Sequence, residues 1–179
     1  MYKRLIFYIW LISAIVFVGC SRQRDNIEHQ VSSIINTTKN GTENLTKWAK
    51  IYQNTLESYM AQDTALNENI DFIAIDLSTL EFANDEDKKL IVTWFENNHA
   101  PVKDTNLDSL RAEGLFDEDR MYIPNGVLLT IEKVTERNNE IIIEGMKYRG
   151  GLGANGFETK WKINNGIWEF VETVMTWIS

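Results

Sequence analysis

The chain has 179 residues, 44% of them hydrophobic, with 26 acidic against 18 basic side chains and a formal charge of −8. That balance, with no basic run beyond Arg22 and Arg24, argues against nucleic acid as a partner. Its single cysteine, Cys20, excludes an intrachain disulfide and a zinc site built on several cysteines.

In chain order the first element is a leader. Lys3 and Arg4 precede an apolar run from Leu5 to Val18 that only Ser13 interrupts, and Gly19 and Cys20 follow. A charged start, an apolar stretch and a small residue before the cut is the order a secretory signal requires. Fourteen residues make a helix of about 21 Å at ~1.5 Å per residue, short of the ~30 Å hydrocarbon core. The stretch "FVGC" at 17 to 20 resembles the lipobox of bacterial lipoproteins. That resemblance implies that Cys20 is acylated and becomes the mature N-terminus, with Phe17 standing where the motif usually has Leu. More than one acyl chain gives a stable anchor. Residues 1–19 are therefore expected to be a lipoprotein signal peptide, 20–26 the lipidated Cys and tether, and 27–179 one domain. Loss of the leader takes Lys3 and Arg4 with it and moves the formal charge from −8 to −10. The expected location is the cell envelope, on a membrane through the lipid anchor. With Ser21 where a retention signal would have Asp, a two-membrane cell would carry the protein in its outer membrane.

Ile27, Val31, Ile34 and Ile35 suggest a first helix, ended by "NGT" at 40 to 42. Thr42 is positioned to cap a second helix, whose apolar face reads Leu45, Trp48, Ala49, Tyr52, Leu56, Tyr59 and Met60 at a 3.6-residue period. "IDFIAIDL" at 70 to 77 reads as a buried strand. Asn84 caps a helix that turns Leu90, Ile91, Trp94 and Phe95 inward and carries acids at its positive end. "TNLDSLRAEGLF" at 105 to 116 is a two-turn helix, with Gly114 at a left-handed cap and Leu115 folding back on it. Four strands follow, "GVLLTIEKVTE", "NEIIIEGMKYR", "FETKWKI" and "IWEFVETVMTWIS", separated by "RNN", "GGLGANG" and "NNG". The last of these suits a type I′ hairpin. The predicted class is α+β, with N-terminal helices packed on a curved antiparallel β-meander.

"GGLGANG" at 150 to 156 contains a G-x-G-x-x-G at Gly151, Gly153 and Gly156. A dinucleotide cradle needs a helix to open there, because the helix N-terminus holds the pyrophosphate. The period-two "FETKWKI" follows instead, so neither a nucleotide nor another cofactor is expected. The glycines are expected to serve a wide hairpin connection through positive φ and close approach. A small anion nest of backbone N–H groups with Lys147 and Arg149 is the functional alternative.

"GMKYRGGLGANGFETKWKINNGIWEFVETVMTWIS", with "LFDEDRMYIPNGVLLTIEKV" before it, resembles the C-terminal half of small secreted or lipid-anchored bacterial proteins of no established activity. The resemblance covers residues 70 to 179 and implies kinship without any catalytic residue. At the level of fold, helices followed by a curved meander look like the cystatin-like or nuclear-transport-factor-like cones.

His29 and His99 are the only histidines. For a Ser-His-Asp arrangement His99 is the sole base, with Asp104, Asp108 or Asp76 as orienters and no G-x-S-x-G nucleophile motif. A His in "NNHAPV", just after a helix, reads better as its C-terminal cap. Asp71 and Asp76, in the expected buried strand, would need partners. The acidic runs at 84 to 89 and 117 to 122 lack calcium-loop spacing, and no metal site is expected. The reading that results is a non-catalytic envelope lipoprotein, a binding or interaction module for a protein or small molecule. Trp94, Trp161, Trp168 and Trp177 are its candidate pocket lining. The alternative is an envelope hydrolase using carboxylates or His99.

Overall fold

The computed structural model describes residues 45–179. The leader, Cys20, the helix expected at Ile27 to Ile35, His29 and Thr42 lie outside the described residues.

Helix α1 spans Lys47–Ala61. Its cap is Thr46 rather than the expected Thr42: the Thr46 hydroxyl accepts from the Ala49 N–H at 3.2 Å. Its apolar period buries Ile51, Tyr52, Leu56, Tyr59 and Met60 completely or nearly so. Helix α2, Asp85–Asn98, is capped by Asn84 in a reciprocal box with Asp87, and Asp85, Glu86 and Asp87 sit in its first turn, where the helix dipole favours anions. His99 is its C-cap residue, its N–H bonded to the Phe95 carbonyl. Helix α3, Leu107–Ala112, is capped by Asn106. It ends in a Schellman turn, with Gly114 at φ +72°, the Leu115 N–H on the Leu110 carbonyl and the Gly114 N–H on that of Arg111.

The strands are β1 Phe72–Ile75, β2 Val102–Asp104, β3 Gly126–Arg137, β4 Glu140–Gly150, β5 Gly153–Asn164 and β6 Ile167–Ile178. They form one sheet in the order β2-β1-β3-β4-β5-β6. The antiparallel meander runs from β3 to β6 as expected. The sheet as a whole is mixed, however, because β1 pairs in parallel with both β2 and β3. The three-residue β2 carries no apolar alternation that would have marked it. It exists because α2 returns the chain beside β1, the crossover that parallel pairing demands.

Parallel strands covered on both faces read as continuous apolar runs, and β1 is buried at all four positions. Ile73 and Ile75 belong to the larger core with α1, α2, Val127, Leu129, Ile131 and Trp161. Phe72 and Ala74 point the other way, into a smaller core closed by Leu110 of α3 with Phe116, Ile123 and Leu128. Asp71 and Asp76 flank β1 rather than sit in it. Asp71 is exposed, and Asp76 is half-buried and accepts from the Ser78 N–H and hydroxyl. At the far edge "NNG" makes the expected turn, with Asn165 at φ +49° and Gly166 at +80°. In β5, Phe157, Thr159 and Trp161 are buried while Glu158 and Lys162 are exposed.

Candidate functional site

The "GGLGANG" segment is mostly strand. Only Gly151 and Leu152 lie in the turn, and β5 begins at Gly153. Among the described glycines only Gly114 and Gly166 have positive φ, so the left-handed angles expected at 150 to 156 are not what selects glycine there. Close approach is. A Cβ at Gly150 would lie 2.6 Å from Cβ of Tyr122, one at Gly153 3.0 Å from Cδ2 of Leu66, and one at Gly156 1.9 Å from Nε1 of Trp177.

The segment that presses on Gly150 is a loop closed on itself. Asp117 and Tyr122 exchange backbone hydrogen bonds of 2.8 and 3.1 Å, and the Asp117 carboxylate accepts from the Arg120 N–H at 2.9 Å. Between them Met121 is held at φ +56°. The other non-glycine residues there among those described are Asp63, Asn69, Asn138 and Asn165, types that tolerate the region. A methionine does not, and such strain concentrates where a loop is held for a purpose. The Met121 carbonyl holds the geometry, accepting from the Gly151 N–H at 2.9 Å and the Tyr148 hydroxyl at 3.0 Å.

Together the β4–β5 turn, this loop and the 3-10 turn Thr64–Asn67 bound an open groove of about 490 Å³, lined by Leu66, Arg120–Tyr122 and Arg149–Gly153. Leu152 at its lip is 97% exposed and Met121 46%. The four tryptophans do not line it. Trp161 is a core residue, 1% exposed, with its indole N–H on Thr55 at 3.1 Å. Trp168 sits under the Lys47 ammonium, 4.8 Å from the ring centroid. Trp94 packs edge-on against Phe95 on α2, and Trp177 covers Gly156 from β6. Trp161 belongs to the main core and Trp94 and Trp168 pack against it, so these three serve the core rather than the groove.

The two cations of the expected anion nest part company. Lys147 is completely buried. Its ammonium donates to the carbonyls of Gln62 at 2.7 Å and Asp63 at 3.0 Å, with Tyr59 and Met60 each at 3.4 Å. It therefore caps the C-terminus of α1, and burial pushes its pKa down to about 8 against a smaller raising effect from Asp63. Arg149, two residues on along the same strand, does line the groove. Its Nη1 donates to Leu66 and Glu68 carbonyls at 3.0 and 2.6 Å and its Nη2 to Pro124 at 3.2 Å. Both side chains nevertheless donate to carbonyls of the chain at and after the end of α1.

His99 is paired, though not as expected. Its Nε2 lies 2.6 Å from the Glu57 carboxylate of α1, and its ring stacks on Phe95. Asp104 instead accepts from the Leu77 N–H, Asp108 pairs with Arg111 and Asp76 caps its own turn. Among the described residues Glu57 is the only side chain hydrogen-bonded to the His99 ring, so the pair braces α1 against the end of α2. Also among the described residues, no group of three or more His, Cys, Asp or Glu stands ready to hold a metal.

The chain was compared with protein-family models, curated proteins and solved structures, and none of them matches it.

Proposed function

We propose that the protein is a non-catalytic cell-envelope lipoprotein, anchored through Cys20, whose domain is a binding module with its ligand site in the groove beside Gly150–Gly153. The observation that carries the binding half is the combination at that groove. A loop is kept in a strained angle at Met121, Leu152 is left almost wholly exposed, and Arg149 is fixed by three carbonyls. Apolar side chains and an oriented guanidinium gathered on one cleft are the make-up of a small-molecule site. The "VGC" ending of the leader supports the anchor. Kinship with secreted or lipid-anchored bacterial proteins, and a cystatin-like or nuclear-transport-factor-like cone, belong to the same proposal. What supports the cone is α1 packed on the meander's buried face.

Two measurements test it. Labelling with a palmitate analogue should mark the wild type and not Cys20→Ser; equal labelling would remove the anchor. For the groove, native mass spectrometry of protein taken from its own host should show a bound small molecule that Gly151→Trp displaces. Identical spectra for both proteins would refute the binding module.

A further inference from the structure

We infer that the groove takes an amphipathic carboxylate: a single acyl or aryl body lying on Leu66, Met121 and Leu152, with its anionic head on Arg149 and Arg120. The inference rests on the groove being a binding site and names what binds there. Three of the five N–H groups of a guanidinium are spent by Arg149 on the carbonyls of Leu66, Glu68 and Pro124, which leaves two. Carbonyl oxygens orient the group without neutralising it. None of the ion pairs among the described residues includes Arg149. A half-buried, rigidly oriented and uncompensated cation at the wall of a cleft is a site for an anion.

Arg120 supplies a second, exposed cation. Its side chain is 75% exposed, and its one carboxylate partner, Asp117, stands at 4.0 Å, the outer limit of an ion pair. Two arginines line this cleft and no Asp or Glu is among its lining residues, in a chain with 26 acids and 18 bases. The remaining wall is apolar or bare backbone, which fits a hydrocarbon body and not a polyanion. At roughly 30 Å³ per water-sized group, the 490 Å³ of the groove hold a ligand of at most about sixteen heavy atoms. A peptide or a lipid bilayer would need a larger continuous surface than this cleft offers.

The test uses the chain without residues 1–19 and with Cys20→Ser, and follows the Met121 methyl by 13C-methionine NMR. The probes are decanoate, decanol and acetate, each kept below its self-association concentration. Decanoate should shift Met121 with a dissociation constant below about 1 mM. Decanol should bind at least about tenfold more weakly, since a charge-assisted pair is worth about that factor or more, and acetate likewise, since it lacks the apolar body. Arg120→Gln leaves the fold intact because the side chain is largely in solvent, and it should weaken decanoate severalfold. Arg149→Lys should weaken it about tenfold, because an ammonium cannot both keep the three carbonyls and present two parallel donors. Equal binding of decanoate and decanol would overturn the anionic head. Equal binding of decanoate and acetate would overturn the apolar body, and no shift with decanoate would overturn the inference entirely. If the host-derived molecule displaced by Gly151→Trp carries no carboxylate, this inference fails while the binding module stands.

Discussion

The indole of Trp177 occupies the space that a side chain at residue 156 would need: its Nε1 lies 1.9 Å from where a Cβ on Gly156 would be. The third glycine of the G-x-G-x-x-G is thus chosen by a tryptophan on the neighbouring strand, with which it pairs directly. Gly156→Ala should cost about 1–3 kcal/mol by overpacking. Trp177 is 43% exposed, so removing its ring should open the space. In a Trp177→Ala background the same Gly156→Ala should be close to neutral, a coupling of about 1–2 kcal/mol in a double-mutant cycle. Gly151, whose nearest neighbour would stand 3.7 Å away, serves as the control, and Gly151→Ala should shift stability by less than about 0.5 kcal/mol. Urea titrations of the four proteins and the control measure this. An additive cycle would mean that Gly156 has some other reason to be there.

The same motif marks how far the sequence could be read. Period and caps located α1, α2, α3 and the four strands of the meander, since those signals are local: Asn84 before an acidic turn, Gly114 after an apolar helix, Asn165–Gly166 between alternating strands. The hidden parts depend on residues distant in the chain. Glycines in a strand look like glycines in a loop until the facing Trp177 or Tyr122 is known. Lys147 reads as a member of an anion nest because nothing near it in sequence foretells the α1 terminus, 84 to 88 positions earlier, that it satisfies. β2 has too few residues for any period, and the groove is assembled from three separate segments, of which only the glycine run carries a motif, and that motif does not foretell the other two.

Thr46 and Asp87 make a second long-range link with a local disguise. Asn84 and Asp87 form the capping box of α2, and the Asp87 carboxylate also accepts from the Thr46 hydroxyl, which itself caps α1. One buried carboxylate, 2% exposed, therefore ties the first turns of two helices. Asn84→Ala removes one half of one box and should cost about 1–2 kcal/mol. Asp87→Ala loosens both helices and leaves buried donors unmet, for about 2–4 kcal/mol. Thr46→Val costs less once Asp87 is gone, because their mutual bond is already lost and only the α1 cap to Ala49 remains to lose. Thermal melts of the single and double variants decide it. Equal costs for Asn84→Ala and Asp87→Ala would show that the link between the helices contributes nothing.

Lys147 gives the prediction with a pH sign. Its ammonium ends α1 by donating to the carbonyls of residues 59, 60, 62 and 63; those of 59, 60 and 63 keep other donors, so Lys147→Met strands the Gln62 carbonyl and should cost about 2 kcal/mol at neutral pH. Burial lowers the folded pKa from 10.5 to about 8. Below pH 8 both folded and unfolded chains carry the proton, and the desolvation cost of the charged group is borne in full. Between about 8 and 10.5 the folded chain releases the proton while the unfolded chain keeps it. More protons on the unfolded state mean that stability rises with pH. The wild type should therefore gain on Lys147→Met across that window, by up to about 1.4 kcal/mol per pH unit. Tyr52, whose pKa burial raises to about 12, works in the opposite direction above pH 10. It is common to both proteins and cancels in their difference. Urea unfolding of the pair from pH 7 to 10 measures that difference. A gap that stays flat across the window would mean that the carbonyl cage holds the ammonium as well as water does, and a gap that narrows would reverse the assignment of burial as the dominant effect.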